Sequence, residues 1–397
     1  MKVAFIEQES KMGGVEYTTL RVAQALDKSK FEPIIICPEE GDLPRFARQS
    51  GLDVHIVPRP KFPSVSLFWN RRYIANPFGF VITAVNVFRA VRILRNHLQT
   101  NSADIILTKG LLAHFYGGLA ARRLGIPCIW YMQEEVDAKR AGGAFRWLLR
   151  IGAQSLPAKI IVDAEALLEQ FGNPARLEHR ILTIYNGVDT NQFVPASCDD
   201  RKNVRTSFGI PENAVVLGQA GRLIPMKGQD VLLRGFIHLA KEFPDLHLIL
   251  IGAPLFGDDG YEQALRQQAL QSGLAERIHF TGFLPDVHCG LAAMDIFVQA
   301  SVEADSPVSV IEAMSCRLAV VVSAVRGTLE MVEPGWDAFI FPSGDSDTLI
   351  LKLAALIRDI DLRMQLGSRA RESVIRKFSL QASVAKLETV LGEFYAA

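Results

Sequence analysis

Apolar runs of strand length alternate with helical patterns along the whole chain, the signature of successive βαβ units and parallel sheets. In the first half the runs at 3–7, 34–38, 54–57, 104–108, 128–132, 160–163 and 181–185 predict strands. In the second half the runs at 215–220, 246–251, 278–281, 296–300, 319–323 and 338–341 do the same. The pattern therefore predicts an α/β protein with two Rossmann-like, doubly wound sheets in tandem. The stretch 194–203 is polar and lacks periodicity, and it reads as a linker between domains at 1–193 and 204–378. Several helical patterns follow residue 345, and the last, over 379–397, is expected to cross back to the N-terminal domain.

Composition narrows the class without changing this picture. A chain of 397 residues, 49% hydrophobic and 22% charged, suits a soluble two-domain protein. Its zero net charge hides an asymmetry: residues 1–190 hold 24 Lys+Arg against 18 Asp+Glu, and the remainder holds the opposite excess. The five cysteines are scattered and form no C-x-x-C pair, which argues against a zinc site or a disulfide framework. The opening Met1-Lys2-Val3-Ala4-Phe5-Ile6 reads as a first strand and not as a leader. No window approaches the roughly 18 apolar residues that span a bilayer. The expectation is a cytoplasmic protein, at most peripheral on the inner face of the plasma membrane.

Candidate chemistry sits at two segments in the C-terminal half. Gly221-Arg222-Leu223-Ile224-Pro225-Met226-Lys227-Gly228 puts two cations on a short loop after an apolar strand. Ser301-Val302-Glu303-Ala304-Asp305-Ser306-Pro307-Val308 opens a helix that carries Glu312. Cations and free helix N–H groups suit a diphosphate, and a nearby carboxylate suits ribose hydroxyls. Both segments follow strand ends, where doubly wound sheets bind ligands. After the first strand, Gly13-Gly14-Val15-Glu16 lets backbone approach a ligand or simply makes a tight turn. Neither G-x-G-x-x-G nor a P-loop is present, so dehydrogenase and P-loop NTPase readings lose their support. The pairs Asp199-Asp200 and Asp258-Asp259 read as solvated turns rather than metal ligands.

Gly13-Gly14-Val15-Glu16, Tyr185-Asn186-Gly187-Val188-Asp189, Gly221-Arg222-Leu223 with Lys227-Gly228, and Ile311-Glu312-Ala313-Met314, in this order, resemble the family-4 glycosyltransferases. The resemblance implies a GT-B fold, with two Rossmann-like domains facing a central cleft, and a retaining enzyme that uses a nucleotide-diphosphate sugar. It assigns Arg222 and Lys227 to the donor diphosphate and Glu312 to the ribose. Ser306, Pro307 and Val308 would face the distal phosphate, and either Glu303 or Asp305 would meet the sugar. Gly13, Gly14, Glu16, Gln133 and Glu134 fall on the acceptor side, with Gly14 also closing on the donor. No metal and no other cofactor is expected, because Arg222, Lys227 and a helix end can neutralise the leaving group.

The sequence departs from the family pattern in three places. Glu303 and Glu312 stand one residue further apart than usual, with Ala304 at the position of the first glutamate. Gln133 replaces a histidine; it can donate a hydrogen bond but carries no proton, so its role would be orienting. Arg317 and Ala319 replace a Gly and a Pro. These departures keep two alternatives open: a degenerate, non-catalytic binding or scaffold protein, and a GT-B nucleotide-sugar epimerase or hydrolase.

The N-terminal domain has no acidic residue from Val54 through Ala103, while Arg89, Arg92 and Arg95 interleave with Phe78, Phe80 and Phe88. A second such stretch runs from Lys139-Arg140 to Arg150. Basic residues among aromatics suit an anionic membrane surface or a lipid-linked acceptor, and equally an ordinary amphipathic helix. No nucleic-acid motif accompanies them. Of the remaining single residues, His114, His247 and His288 read as packed, and Trp130 and Tyr131 as strand-end packing.

Overall fold

The computed structural model describes the chain apart from residues 64, 70–71, 134, 137–142, 174–176, 178, 255–258, 304–306 and 396–397; for 66–69 and 72–75 it describes the backbone alone. Two compact units emerge, one made of Met1–Asn186 with Leu380–Ala397 and the other of Gly187–Ser379.

The strands of the first unit are β1 (Lys2–Glu7), β2 (Glu32–Cys37), β3 (Asp53–Ile56), β4 (Ser66–Trp69), β5 (Arg72–Ala75), β6 (Ile105–Lys109), β7 (Cys128–Met132), β8 (Lys159–Val162) and β9 (Ile181–Thr183). Seven of them form one parallel sheet in the order β3-β2-β1-β6-β7-β8-β9. Its strands are apolar at successive positions because helices cover both faces. Ala4, Ile6, Ile106, Trp130 and Ile160 point to one core, and Val3, Phe5, Leu107, Ile129 and Ile161 to the other. The second core is closed by the last helix, Leu380–Gly392, through Leu380, Val384, Leu387, Val390 and Leu391. Each such side chain, fully buried, contributes about 1.5–3 kcal/mol, enough to hold a helix that returns from the far end of the sequence.

In the second unit, β10 (Val215–Ala220), β11 (Leu246–Ile251), β12 (Ile278–Gly282), β13 (Ile296–Gln299), β14 (Ala319–Ser323) and β15 (Phe339–Phe341) form a parallel sheet. Their order is β12-β11-β10-β13-β14-β15. The order reverses beside β1 in the first sheet and beside β10 in the second, so the ligand-binding crevices of the fold lie at the carboxyl ends of β1/β6 and of β10/β13.

Three features differ from the sequence expectation. The hairpin β4–β5 is additional. Part of the 194–203 segment is a helix, Cys198–Ser207, capped by Ser197 Oγ accepting from the Asp200 N–H at 3.1 Å. That helix has no apolar stripe because charge anchors it: the Arg205 guanidinium, 1% exposed, donates to the carbonyls of Glu212, Ala214 and Ala293 and to Asp295. Arg201 binds the same carboxylate. The third difference corrects the membrane expectation, since helix Pro77–Asn101 is long and apolar enough to cross a bilayer by length and composition. At 25 residues it runs roughly 37 Å. Ala90, Val91, Leu94 and Leu98 nonetheless seat one face of it in the first unit's core.

Candidate active site

In the first unit, a cavity of about 790 Å³ opens at the carboxyl ends of β1 and β6. Its floor is polar and buried. Glu7 and Lys109 end the two adjacent strands and are register partners. Burial pushes the Glu7 carboxyl up, against the pull of the Lys109 ammonium, and pushes the Lys109 ammonium down, against the pull of Glu7. Thr19 Oγ1 donates to Glu7 Oε1 at 2.6 Å. The Lys109 ammonium lies 4.5 Å from the Tyr131 ring centroid and donates to Gln133 Oε1 at 2.9 Å. Gln133 Nε2 donates to Asn186 Oδ1 at 2.6 Å, and Asn186 Nδ2 donates to Asp163 Oδ2 at 2.7 Å. The carboxyl edge of the sheet thus carries a continuous polar row contributed by β6 and the turns after β7, β8 and β9.

The rest of the cavity wall is mixed. Glu16, Glu135, Arg59, Lys61 and His114 line it together with Phe62, Leu112, Val136 and Phe145. Arg59 is held over the Phe62 ring at 4.7 Å and donates to the Gln8 carbonyl. His114 is buried against Trp130, with ring centroids 5.2 Å apart, and shares a 2.8 Å hydrogen bond between its Nδ1 and Thr108 Oγ1. Burial pushes its pKa down to about 3, so the ring is neutral at pH 7.

Of the acceptor-side residues named from sequence, Glu16 and Gln133 line this cavity. Gly13 caps helix Gly14–Ala25 with an extended backbone, and a Cβ there would crowd the Glu16 carboxylate. Gly14 is exposed, and Glu134 lies outside the described residues. Lys109, Glu7 and Asp163 were missed. Their signal was present: a charged residue closing an otherwise apolar strand, twice on neighbouring strands.

In the second unit the two segments, about eighty residues apart in sequence, lie side by side at the carboxyl ends of β10 and β13. The Val302 N–H donates to the Met226 carbonyl at 2.9 Å. Gly228 has φ +64°, and a Cβ there would fall on the Ala300 carbonyl, so only glycine lets the loops touch. Gln219 Nε2 donates to the Lys227 carbonyl at 2.7 Å and Gln229 Nε2 to the Arg222 carbonyl at 2.8 Å. Two buried amides therefore fix the backbone that carries both cations.

The Arg222 side chain is exposed and Lys227 half-buried, at the end of the single turn Pro225–Lys227. Pro307 caps helix Val308–Ser315, whose first N–H groups have no side-chain cap among the described residues. Glu312 is buried within that helix, Val308 is half-buried and Glu303 is exposed. Asp305 and Ser306 lie outside the described residues. Arg317, where the family has Gly, sits at φ +63° just after this helix and anchors its side chain on Ser368 Oγ at 2.9 Å. The turn is therefore the left-handed one that glycine favours, made here by arginine at a cost of about 1–2 kcal/mol.

Two family profiles match the chain in succession: "Glycosyltransferase Family 4" over residues 12–192 and "Glycosyl transferases group 1" over residues 200–373. The chain is 23% identical to the UDP-Gal:alpha-D-GlcNAc-diphosphoundecaprenol alpha-1,3-galactosyltransferase of Escherichia coli, over 98% of this chain and 96% of that one. It is 30% identical to a D-inositol 3-phosphate glycosyltransferase of Geodermatophilus obscurus, over 72% of this chain and 65% of the other. Among solved structures it is similar to Anabaena Alr3699/HepE in complex with UDP and glucose, with a TM-score of 0.83, 24% identity and 99% of both chains covered. The sucrose-phosphate synthase of Thermosynechococcus elongatus superposes with a TM-score of 0.77 at 17% identity, covering 100% of this chain and 99% of that one. These structures share the fold, two Rossmann-like units of GT-B type, and the paired profiles account for nearly the whole sequence. The chain belongs to the family-4 glycosyltransferases and is an enzyme of that class.

Proposed function

We propose that the enzyme moves a sugar from a nucleotide-diphosphate donor, held by the second unit, to a hydroxyl of a lipid-linked or polysaccharide acceptor held by the first. The observation that carries this reading is the joining of the Arg222–Lys227 loop to the Ser301–Val302 turn through the Met226–Val302 hydrogen bond. That contact sets two cations beside the strand end that leads to a helix start with no side-chain cap among the described residues. Arg222 and Lys227 would bind the diphosphate, with the amides near Pro307 and Val308 on its distal phosphate and Glu312 on the ribose. Charge developing on the leaving diphosphate is met by these fixed groups, so the step needs no metal. The diphosphate oxygen takes the proton of the incoming hydroxyl on the face it leaves, which gives retention of configuration with positioning as the enzyme's main contribution.

The cavity of the first unit supports an acceptor that is polar at one end and apolar at the other. Its floor includes Lys109 and Gln133, the latter bonded on to Asn186, and its wall includes Phe62, Val136 and Phe145. An epimerase or hydrolase would act on the donor with no acceptor present, and acceptor dependence separates it from a transferase. Phe145 also touches Phe80 of helix Pro77–Asn101, with ring centroids 5.6 Å apart. That helix exposes Phe78 (80%), Val81, Ile82, Val85 and Phe88 (58%) on one stripe, and helix Ala144–Ser155 exposes Trp147 (61%) and Ile151. Arg89 and Arg92 are exposed on the first of these helices. We assign these faces to peripheral contact with an anionic membrane carrying the acceptor.

The test is transfer from UDP-, GDP-, ADP- or dTDP-sugars to an undecaprenyl-diphosphate-linked sugar, with and without EDTA. The reading predicts acceptor-dependent product, an anomeric coupling constant that shows retention, and no effect of the chelator. Release of free sugar without acceptor, or inversion, would contradict it.

A further inference from the structure

The hydrogen-bond row that starts at Lys109 and Gln133 on the cavity floor has a fixed direction. An ammonium can only donate, so the Gln133 atom facing Lys109 is its oxygen. A carboxylate can only accept, so the Asn186 atom facing Asp163 is its nitrogen. The two middle amides are thereby oriented from both ends, and Gln133 Nε2 faces Asn186 Oδ1 at 2.6 Å. That nitrogen carries two hydrogens. One goes to Asn186, and no described residue accepts the other, on a side chain that lines the cavity.

We propose that Lys109 is a positioning residue that locks the Gln133 amide so that its second N–H is offered to a sugar oxygen of the acceptor. The inference rests on the transferase reading of the cavity. It explains a lysine only 1% exposed at the end of a strand, where burying a charge is costly unless several groups hold it. It also explains how glutamine can serve at this position. A flipped amide would turn its NH2 toward the ammonium and its oxygen toward Asn186 Oδ1, so Lys109 adds to the bias that the Asn186 end already sets.

The experiment is a double-mutant cycle of Lys109→Met and Gln133→Ala, read as acceptor KM, kcat and donor Kd. Each single variant should lose roughly tenfold or more in kcat/KM for acceptor, the scale of one hydrogen bond involving a charged group. Donor Kd should stay within twofold, and the double variant should be no worse than Gln133→Ala alone. Additive losses would overturn the proposal. Lys109→Met leaves Glu7 buried opposite an apolar chain, so Gln133→Glu guards against misfolding. It keeps an acceptor for Lys109 but has no N–H and sets a carboxylate oxygen against Asn186 Oδ1, so it should fold with a lowered thermal stability yet match Gln133→Ala in activity. Full activity in Gln133→Glu would refute the assigned role.

A wild type inactive with every acceptor would count against the transferase reading alone. The Lys109–Gln133 lock is then decided by the side-chain amide spectrum of ¹⁵N-glutamine-labelled protein. One exchange-protected Gln133 pair, lost in Lys109→Met, supports the proposal; identical spectra contradict it.

Discussion

Val302 donates its backbone N–H to the carbonyl of Met226, and this contact joins the two halves of the proposed donor site across about eighty residues of sequence. It exists because Gly228 leaves room for the Ala300 carbonyl at a positive φ. Gly228→Ala should therefore push the loops apart. The expected result is a loss of donor affinity of roughly tenfold or more in a protein that remains folded, since the strain costs about 1–3 kcal/mol. Titration calorimetry with the preferred donor checks it, and unchanged affinity would show that the apposition does not shape the site.

Arg205 and Asp295 anchor helix Cys198–Ser207 to the start of β10 and the end of the segment before β13. Asp295 Oδ2 accepts from Arg205 at 2.8 Å and from the Val216 N–H at 2.8 Å. Breaking a buried pair by removing one partner costs about 3–5 kcal/mol. Arg205→Met should therefore lower the stability of the second unit by about that amount and lower its Tm. A denaturation midpoint equal to wild type would mean that the network is dispensable.

The sheets were legible in the sequence because both faces of each are buried, which turns every strand into an apolar run. What the pattern concealed was held together by something other than apolar periodicity. Helix Cys198–Ser207 reads as linker because Arg201 and Arg205, not a hydrophobic stripe, fasten it. The antiparallel pair β4–β5 lies in a stretch whose basic and aromatic composition suggested a surface and hid the two short strands. Helix Pro77–Asn101 escaped notice as an apolar span because Arg89, Arg92 and Arg95 interrupt its apolar run in the middle of the helix. The donor loops stood out because Arg222, Lys227 and Glu312 sit in recurrent local motifs. The polar row behind the proposed acceptor cavity did not, since Lys109, Gln133, Asn186 and Asp163 come from separate strand ends and meet only in three dimensions.

His114 gives the first unit an acid sensitivity with a definite sign. The unfolded chain binds a proton at this ring below about pH 6.5, whereas the folded ring does so only near pH 3. Between these values the unfolded state holds more protons, so stability falls as pH falls, by about 1.4 kcal/mol per unit once well below 6.5. His247, pushed down to about 4 by burial and paired with His279 at 3.1 Å, acts in the same direction in the second unit. Thermal melts at pH 7 and pH 5 should show a smaller acid-induced drop for His114→Gln than for wild type. Equal drops would mean that His114 is not a buried neutral group.

The exposed faces of helices Pro77–Asn101 and Ala144–Ser155 predict binding to vesicles containing phosphatidylglycerol, weakened by salt. Replacing Phe78, Phe88 and Trp147 by serine should reduce binding by roughly tenfold or more, because each aromatic buried in the interface contributes about 1.5–3 kcal/mol. Donor affinity should not change. Vesicle binding equal to wild type in the triple variant would move the membrane contact elsewhere or remove it.

The central claim is that fixed protein charges, without a metal, hold a nucleotide-diphosphate sugar on the second unit. The most direct measurement is a binding screen against UDP-, GDP-, ADP- and dTDP-sugars in the presence of EDTA, with Arg222→Ala, Lys227→Ala and Glu312→Ala alongside. The account predicts chelator-insensitive binding of one donor class, reduced roughly tenfold or more in each variant while the fold is kept. Binding abolished by EDTA, or retained in full by all three variants, would contradict it.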